Sequence, residues 1–345
     1  MANAAIRKLF EQQGVPMLTR ELGTRLFTEQ LGPDHADHVV TVLGPTKPLY
    51  RRTGSLPFGG VRAVRDLTGL AEHPVLRDHA PNGRTPVLPM SAAIGWCGSY
   101  LQGLYIDKSM VEVQGFRMVK GVLFDGSERD QFLAEATSAP DIGAGWARVS
   151  ITSRSGAGPA VLRCEGRFRM AAEPEPAPVL DGLDGCEVRP FEPHPQYAQG
   201  LLFHGPSLIG LGPELLVEPH RVVALAKLAD ARLPGFSTRW YDGILADLLP
   251  QATQLLERRL SGHRSLPTGV ESVEVFARIP ADLPFLIVVD LAERRAFDTR
   301  YDVSACDMDG RVLLRWRGLS MLTITPEVAA GFEWIPADRK AAGSA

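Results

Sequence analysis

The sequence lacks paired cysteines, a marked charge excess and a long apolar run. Its four cysteines, Cys97, Cys164, Cys186 and Cys306, form no C-x-x-C pair and none stands near a histidine at ligand spacing, so no metal site is expected. Four such residues fit reduced thiols in a cytoplasmic protein. The net charge of −3 offers none of the basic surface that a nucleic-acid partner requires. The apolar run from Leu245 to Leu256 is broken by Asp247 and Pro250, far short of the ~20 residues of a membrane span. The first residues lack the apolar centre of a secretory signal. A glycine-rich dinucleotide fingerprint is also missing, and no cofactor is expected.

What is present suits two fused units around a sizeable core. Residues 1–47 carry two stretches of helical spacing, Ile6 to Gln13 and Thr19 to Leu31, then a short β-branched run, Val39 to Leu43. Residues 48–172 hold one long helix, Ser91 to Leu104, and strands at Ser109–Val119, Gln131–Thr137, Trp146–Arg154 and Ala160–Met170. In the last of these, Val161, Arg163, Glu165 and Arg167 alternate with Leu162, Cys164 and Phe168, as on a half-buried sheet. Residues 173–185 begin dense in proline and glutamate and form an extended linker. Residues 186–330 repeat the pattern, with a helix from Tyr241 to about Leu260 and strands at Val270–Ile279, Leu286–Leu291, Ala296–Asp307 and Val312–Ile324. Residues 331–345 form a tail. The whole predicts a duplicated α+β unit, each half pairing a long helix with antiparallel strands.

Three motifs carry chemistry. In the first, Asp78-His79-Ala-Pro-Asn-Gly83 leads through an apolar run to Pro89 and Met90. Gly83 permits a tight turn, and Pro89 suits a helix start, whose unpaired N–H groups can polarise a carbonyl. The second, Leu202-Phe203-His204-Gly205-Pro206, signals a turn or bulge after an apolar strand. In the third, Asp247 and Gln251 stand four apart on an apolar helix face, close enough to hydrogen-bond. Burial there would raise the Asp247 pKa and keep it protonated, although an Asp near a helix start can equally act as a cap. Arg62 to Arg65, Glu257-Arg258-Arg259 and Glu293-Arg294-Arg295 fit solvated faces. Trp240, Trp316 and Phe276 fit core positions.

In this order the motifs resemble the dehydratase domains of type I polyketide synthases over residues 48 to 325. His79, Gly83 and Pro89 fall on that family's first motif, Gly205 and Pro206 on its second, and Asp247 and Gln251 on its third. The gap from Gly83 to Pro89 is one residue longer than the family pattern, and His204 and Leu208 stand where many relatives have tyrosine and phenylalanine. Pro86 to Trp96 looks closest to the dehydratases of iterative enediyne and polyunsaturated-fatty-acid synthases. Residues 14–44 look like the tail of a ketoreductase domain, implying a larger synthase.

The resemblance implies a double hot-dog fold and loss of water from a β-hydroxyacyl thioester carried by the phosphopantetheine arm of an acyl carrier protein. His79 would be the base, protonated Asp247 the acid and Gln251 its holder. Gly83, Pro89, Met90, His204, Gly205 and Pro206 would contact substrate. Neighbouring synthase domains and a second copy of the chain are the further partners implied. A hot-dog thioesterase, a product-template cyclase and a degenerate docking domain are the alternatives.

Overall fold

The computed structural model describes residues 61–330, apart from 106, 184–185, 187–188, 230 and 296–297, together with Thr24. The ketoreductase-like segment and the C-terminal tail lie outside the described residues.

Eleven strands form one antiparallel sheet. They are β1 (Val61–Arg65), β2 (Ser109–Met118), β3 (Gln131–Ser138), β4 (Trp146–Arg154), β5 (Val161–Ala171), β6 (Leu211–Val217), β7 (Arg221–Ala226), β8 (Arg264–Val275), β9 (Phe285–Glu293), β10 (Asp298–Cys306) and β11 (Val312–Ile324). Their order is β1-β3-β4-β5-β2-β8-β11-β10-β9-β7-β6. The first five belong to one half of the chain and the rest to the other. The halves join where β2 pairs with β8, with Val113 opposite Val273.

Two long helices lie in the curve of this sheet. Helix α1 (Met90–Leu104) packs on β2, β3, β4 and β5, and α2 (Leu248–Ser261) on β6 to β11. A helix wrapped by its own strands in each half is the double hot-dog, α+β as the duplicated pattern implied. Helix α1 is buried from Met90 to Gly98. Gly95 makes that depth accessible, because a Cβ there would fall 1.8 Å from the Phe236 carbonyl oxygen. Trp316 and Tyr301 fill the second half's core, whereas Trp240 and Phe276 are half-buried at its margin.

The structure departs from the expected elements for local reasons. The second helix starts at Leu248 rather than Tyr241, behind a 3-10 turn at Leu245–Asp247. Pro250 has no N–H to give a preceding turn and is tolerated only at a helix start. Asp242 meanwhile accepts from the Ile244 and Leu245 amides at 2.9 and 3.2 Å, holding a turn in place of helix. Strand β8 begins at Arg264, earlier than expected. Its Pro267 lies beyond the residues paired with β2 and beside the irregularity at Ser320 and Met321 of β11, a place where a strand tolerates proline. Strands β6 and β7 come in addition to the expected set, and Leu202-Phe203 is irregular rather than strand.

Two features expected at the surface are interior. A bulge opposite Ile151 and Thr152 breaks the alternation of β5 and turns Arg163 inward, where it donates to Ser153 Oγ at 2.8 Å and to the Gly121 carbonyl at 2.7 Å. Glu257 is 1% exposed and accepts from the Tyr301 and Thr323 hydroxyls at 2.5 and 2.9 Å.

Candidate active site

The loop bearing His79 leaves a helical turn at Pro74–Arg77. The Val87 amide donates to the His79 carbonyl at 2.9 Å, and His79 Nδ1 lies 2.6 Å from the Val87 carbonyl. A carbonyl can only accept, so Nδ1 carries the proton and the neutral ring keeps its lone pair on Nε2. The connecting loop is closed by Gly83, at φ +69°, donating to Ala80 at 2.8 Å, and by Asn82 Oδ1 accepting from the Arg84 and Thr85 amides. Gly83 has open space where a Cβ would sit, so Gly83→Ala carries backbone strain alone. It is expected to cost ~1–2 kcal/mol in urea unfolding and to leave turnover unchanged.

The second half brings its polar groups to the same place. Gln251 Nε2 donates to Asp247 Oδ2 at 3.0 Å, Ser91 Oγ of α1 donates to Asp247 Oδ1 at 3.1 Å, and His204 Nε2 lies 3.4 Å from Asp247 Oδ2. Tyr197 donates to Gln251 Oε1 at 2.5 Å, which fixes the amide so that its NH2 faces the carboxylate. His204 stacks on Phe203 with ring centroids 4.0 Å apart, and Phe203 meets His79 edge-on at 5.1 Å. One ligand atom from each of His79, His204 and Asp247 lies within 4.8 Å of the others. These residues border a cavity of about 300 Å³, whose remaining wall includes Val87, Leu88, Met90, Leu266, Pro267 and Leu322.

Burial governs the charges. It lowers the His79 pKa to about 4, against the opposing pull of the Asp247 carboxylate, so the imidazole is neutral at pH 7. For Asp247 burial acts upward, but the His204 contact, the field of His79 and the Gln251 hydrogen bond outweigh it and bring the pKa to about 2. The expectation of a protonated resting Asp247 is therefore corrected. It weighed burial without His204, His79 and Gln251, which converge on the carboxylate.

His79, Asp247, Gln251, Met90 and His204 line one cavity, whereas Gly83, Pro89, Gly205 and Pro206 do not. Pro89 is the residue preceding α1 and aims its first turn. The turn at Gly205 to Ser207 ties the halves together instead. The Gly205 amide donates to the Asp78 carbonyl at 2.8 Å and the Ser207 amide to Asp78 Oδ2 at 2.7 Å. Sequence reasoning missed Ser91, Tyr197 and the partner of Gly205. A Ser two residues after a helix-opening proline is the one signal that pointed at the first; Tyr197 stands in no recognisable motif.

Comparison with known proteins agrees. Residues 194–330 match the family model described as the polyketide synthase dehydratase N-terminal domain. The chain is 26% identical over 299 residues to a polyunsaturated fatty acid synthase chain of Thraustochytrium sp., covering 84% of this chain but 10% of that protein. Among solved structures it resembles a trans-AT polyketide synthase dehydratase domain from Brevibacillus brevis, with TM-score 0.61, 19% identity, and coverage of 80% of this chain and 98% of the other. It likewise resembles the dehydratase domain of a mycocerosic acid synthase-like polyketide synthase, with TM-score 0.60, 19% identity, and coverage of 78% and 94%. Residues 194–330 thus match the polyketide synthase dehydratase family model, and the chain carries the double hot-dog fold of the dehydratase domains it resembles.

Proposed function

We propose that this chain removes water from a β-hydroxyacyl thioester to give an α,β-enoyl thioester. The observation that carries the reading is the meeting of a neutral, pre-oriented imidazole and a hydrogen-bonded carboxylate, within 4.8 Å, beside one largely apolar cavity. His79 Nε2 takes the α-proton, and the electron pair of that C–H bond forms the new double bond as the Cβ–O bond breaks. The departing oxygen takes a proton held on the Asp247–His204 pair and leaves as water. A proton then returns from His79 to the pair. The first-turn amides of α1, starting at Met90, have no intrahelical acceptor and suit a thioester oxygen that gains charge. Gln251, held by Tyr197, keeps the carboxylate aimed.

The chain spans about one tenth of the synthase chain it matches. An acyl carrier protein that delivers the thioester on its phosphopantetheine arm, a preceding ketoreductase, a homodimeric state and a cytoplasmic setting all belong to this reading. Among the described residues no helix is long and apolar enough to cross a membrane.

Incubation with a 3-hydroxyacyl pantetheine thioester tests the function. The expected product is the enoyl thioester, seen by its absorbance and a mass loss of one water. Release of free thiol instead would identify a thioesterase, and no reaction with either this substrate or its carrier-bound form would sink the enzymatic reading.

A further inference from the structure

The geometry points to a second capacity of the same three side chains: His79, His204 and Asp247 form a binding site for a single divalent transition-metal ion of the zinc class, and occupancy of that site blocks the base. Cysteine spacing gave no reason to expect a metal ligand set. The fold assembles one from two histidines in different halves and a carboxylate on the approach to α2. All three are buried, with one ligand atom each inside 4.8 Å.

Bonds of ~2.0–2.2 Å at tetrahedral angles place ligand atoms ~3.3–3.5 Å apart. His204 Nε2 and Asp247 Oδ2 already stand 3.4 Å apart. The other separations close with about 1 Å of side-chain movement. Ligating histidines characteristically donate their second ring N–H to a backbone carbonyl or carboxylate, and His79 Nδ1 does so to Val87 at 2.6 Å. Asp247 is oriented by Gln251 and Ser91 at 3.0 and 3.1 Å. A fourth position would open into the 300 Å³ cavity. Two imidazoles and one carboxylate suit Zn²⁺, Co²⁺ or Ni²⁺ rather than the oxygen-loving Mg²⁺ or Ca²⁺.

The test is binding to the full chain after treatment with a chelator. Calorimetry with Zn²⁺ and visible spectroscopy with Co²⁺ are expected to show one saturable equivalent, without a thiolate charge-transfer band. Gln251→Leu should weaken affinity by ~10–100-fold, the usual loss for an orienting partner, and His204→Asn and His79→Gln by more. Each variant's fold is checked by circular dichroism, and either ligand variant that folds suffices. Absence of saturable binding at micromolar metal, unchanged affinity in a folded ligand variant, or a thiolate band placing the ion on the adjacent buried thiols Cys97 and Cys164 would overturn the site. The blockade rests on the proposed dehydration: the ion and the α-proton compete for one lone pair, so Zn²⁺ should inhibit turnover in proportion to occupancy. Binding is read independently of catalysis, so the two readings fail separately. Undiminished turnover at full occupancy would refute the blockade alone.

Discussion

His79→Ala is expected to lower turnover of a 3-hydroxyacyl pantetheine thioester by ~10²–10⁴-fold, the usual worth of one general base. The loss should fall on kcat with KM little changed, because the ring supplies a proton acceptor rather than binding area. Its Nδ1 is committed to Val87 at 2.6 Å, leaving Nε2 for the substrate, and burial holds the ring neutral at pH 7. No protonation change therefore has to precede the reaction. Asp247→Asn is the matching test at the other end. It preserves shape and accepts from one of its donors, but cannot carry a proton to the leaving oxygen. A drop of similar size is expected, with the fold retained by circular dichroism. Near-wild-type water loss by either variant would remove the pair from the mechanism.

Much of this architecture was legible where a periodic signal ran uninterrupted. The expected bounds of β4 and β11 agree with the structure, and α1 and β2 begin or end within one residue of expectation. These are long segments whose apolar positions repeat at the period of their element. Legibility failed where side chains compete with backbone or where a partner lies far along the chain. Asp242 holds a turn where the apolar pattern implied helix. Arg163 turns inward at a bulge that no alternation rule anticipates. Glu257, which stands in a charged triplet, is buried because hydroxyls from β10 and β11 reach it. The same division runs through the site. Asp247 and Gln251 could be paired from their spacing, whereas Ser91 meets Asp247 across 156 positions. The ionisation of Asp247 depends on His204 and His79, both remote in the chain, together with Gln251, so burial alone gave the wrong direction.

Gly205→Ala is expected to damage both stability and turnover from outside the cavity. The Gly205 backbone, at φ −82° and ψ −177°, is open to any residue, so the constraint is space. An added Cβ would lie 2.5 Å from Asp78 Oδ1, 2.6 Å from its Cγ and 2.9 Å from its Cβ. Asp78 cannot swing away cheaply, because its carbonyl and carboxylate accept from the Gly205 and Ser207 amides. Overpacking costs ~1–3 kcal/mol and loss of a hydrogen bond to a charged group ~1.5–3 kcal/mol, so a loss of about 2.5–6 kcal/mol in urea unfolding is expected. Catalysis should suffer as well, since Asp78 precedes His79 and fixes it against the second half. Displacement of a catalytic group by ~1 Å can cost ~10²-fold, and a kcat loss of that order is expected in the folded fraction. Asp78→Ala removes the two nearest obstructing atoms. The double variant Asp78→Ala/Gly205→Ala should therefore fall short of the summed single losses by more than the ~0.5 kcal/mol scatter of independent sites. Simple additivity would show that Gly205 acts elsewhere, and that the joint between the halves does not depend on its closeness to Asp78.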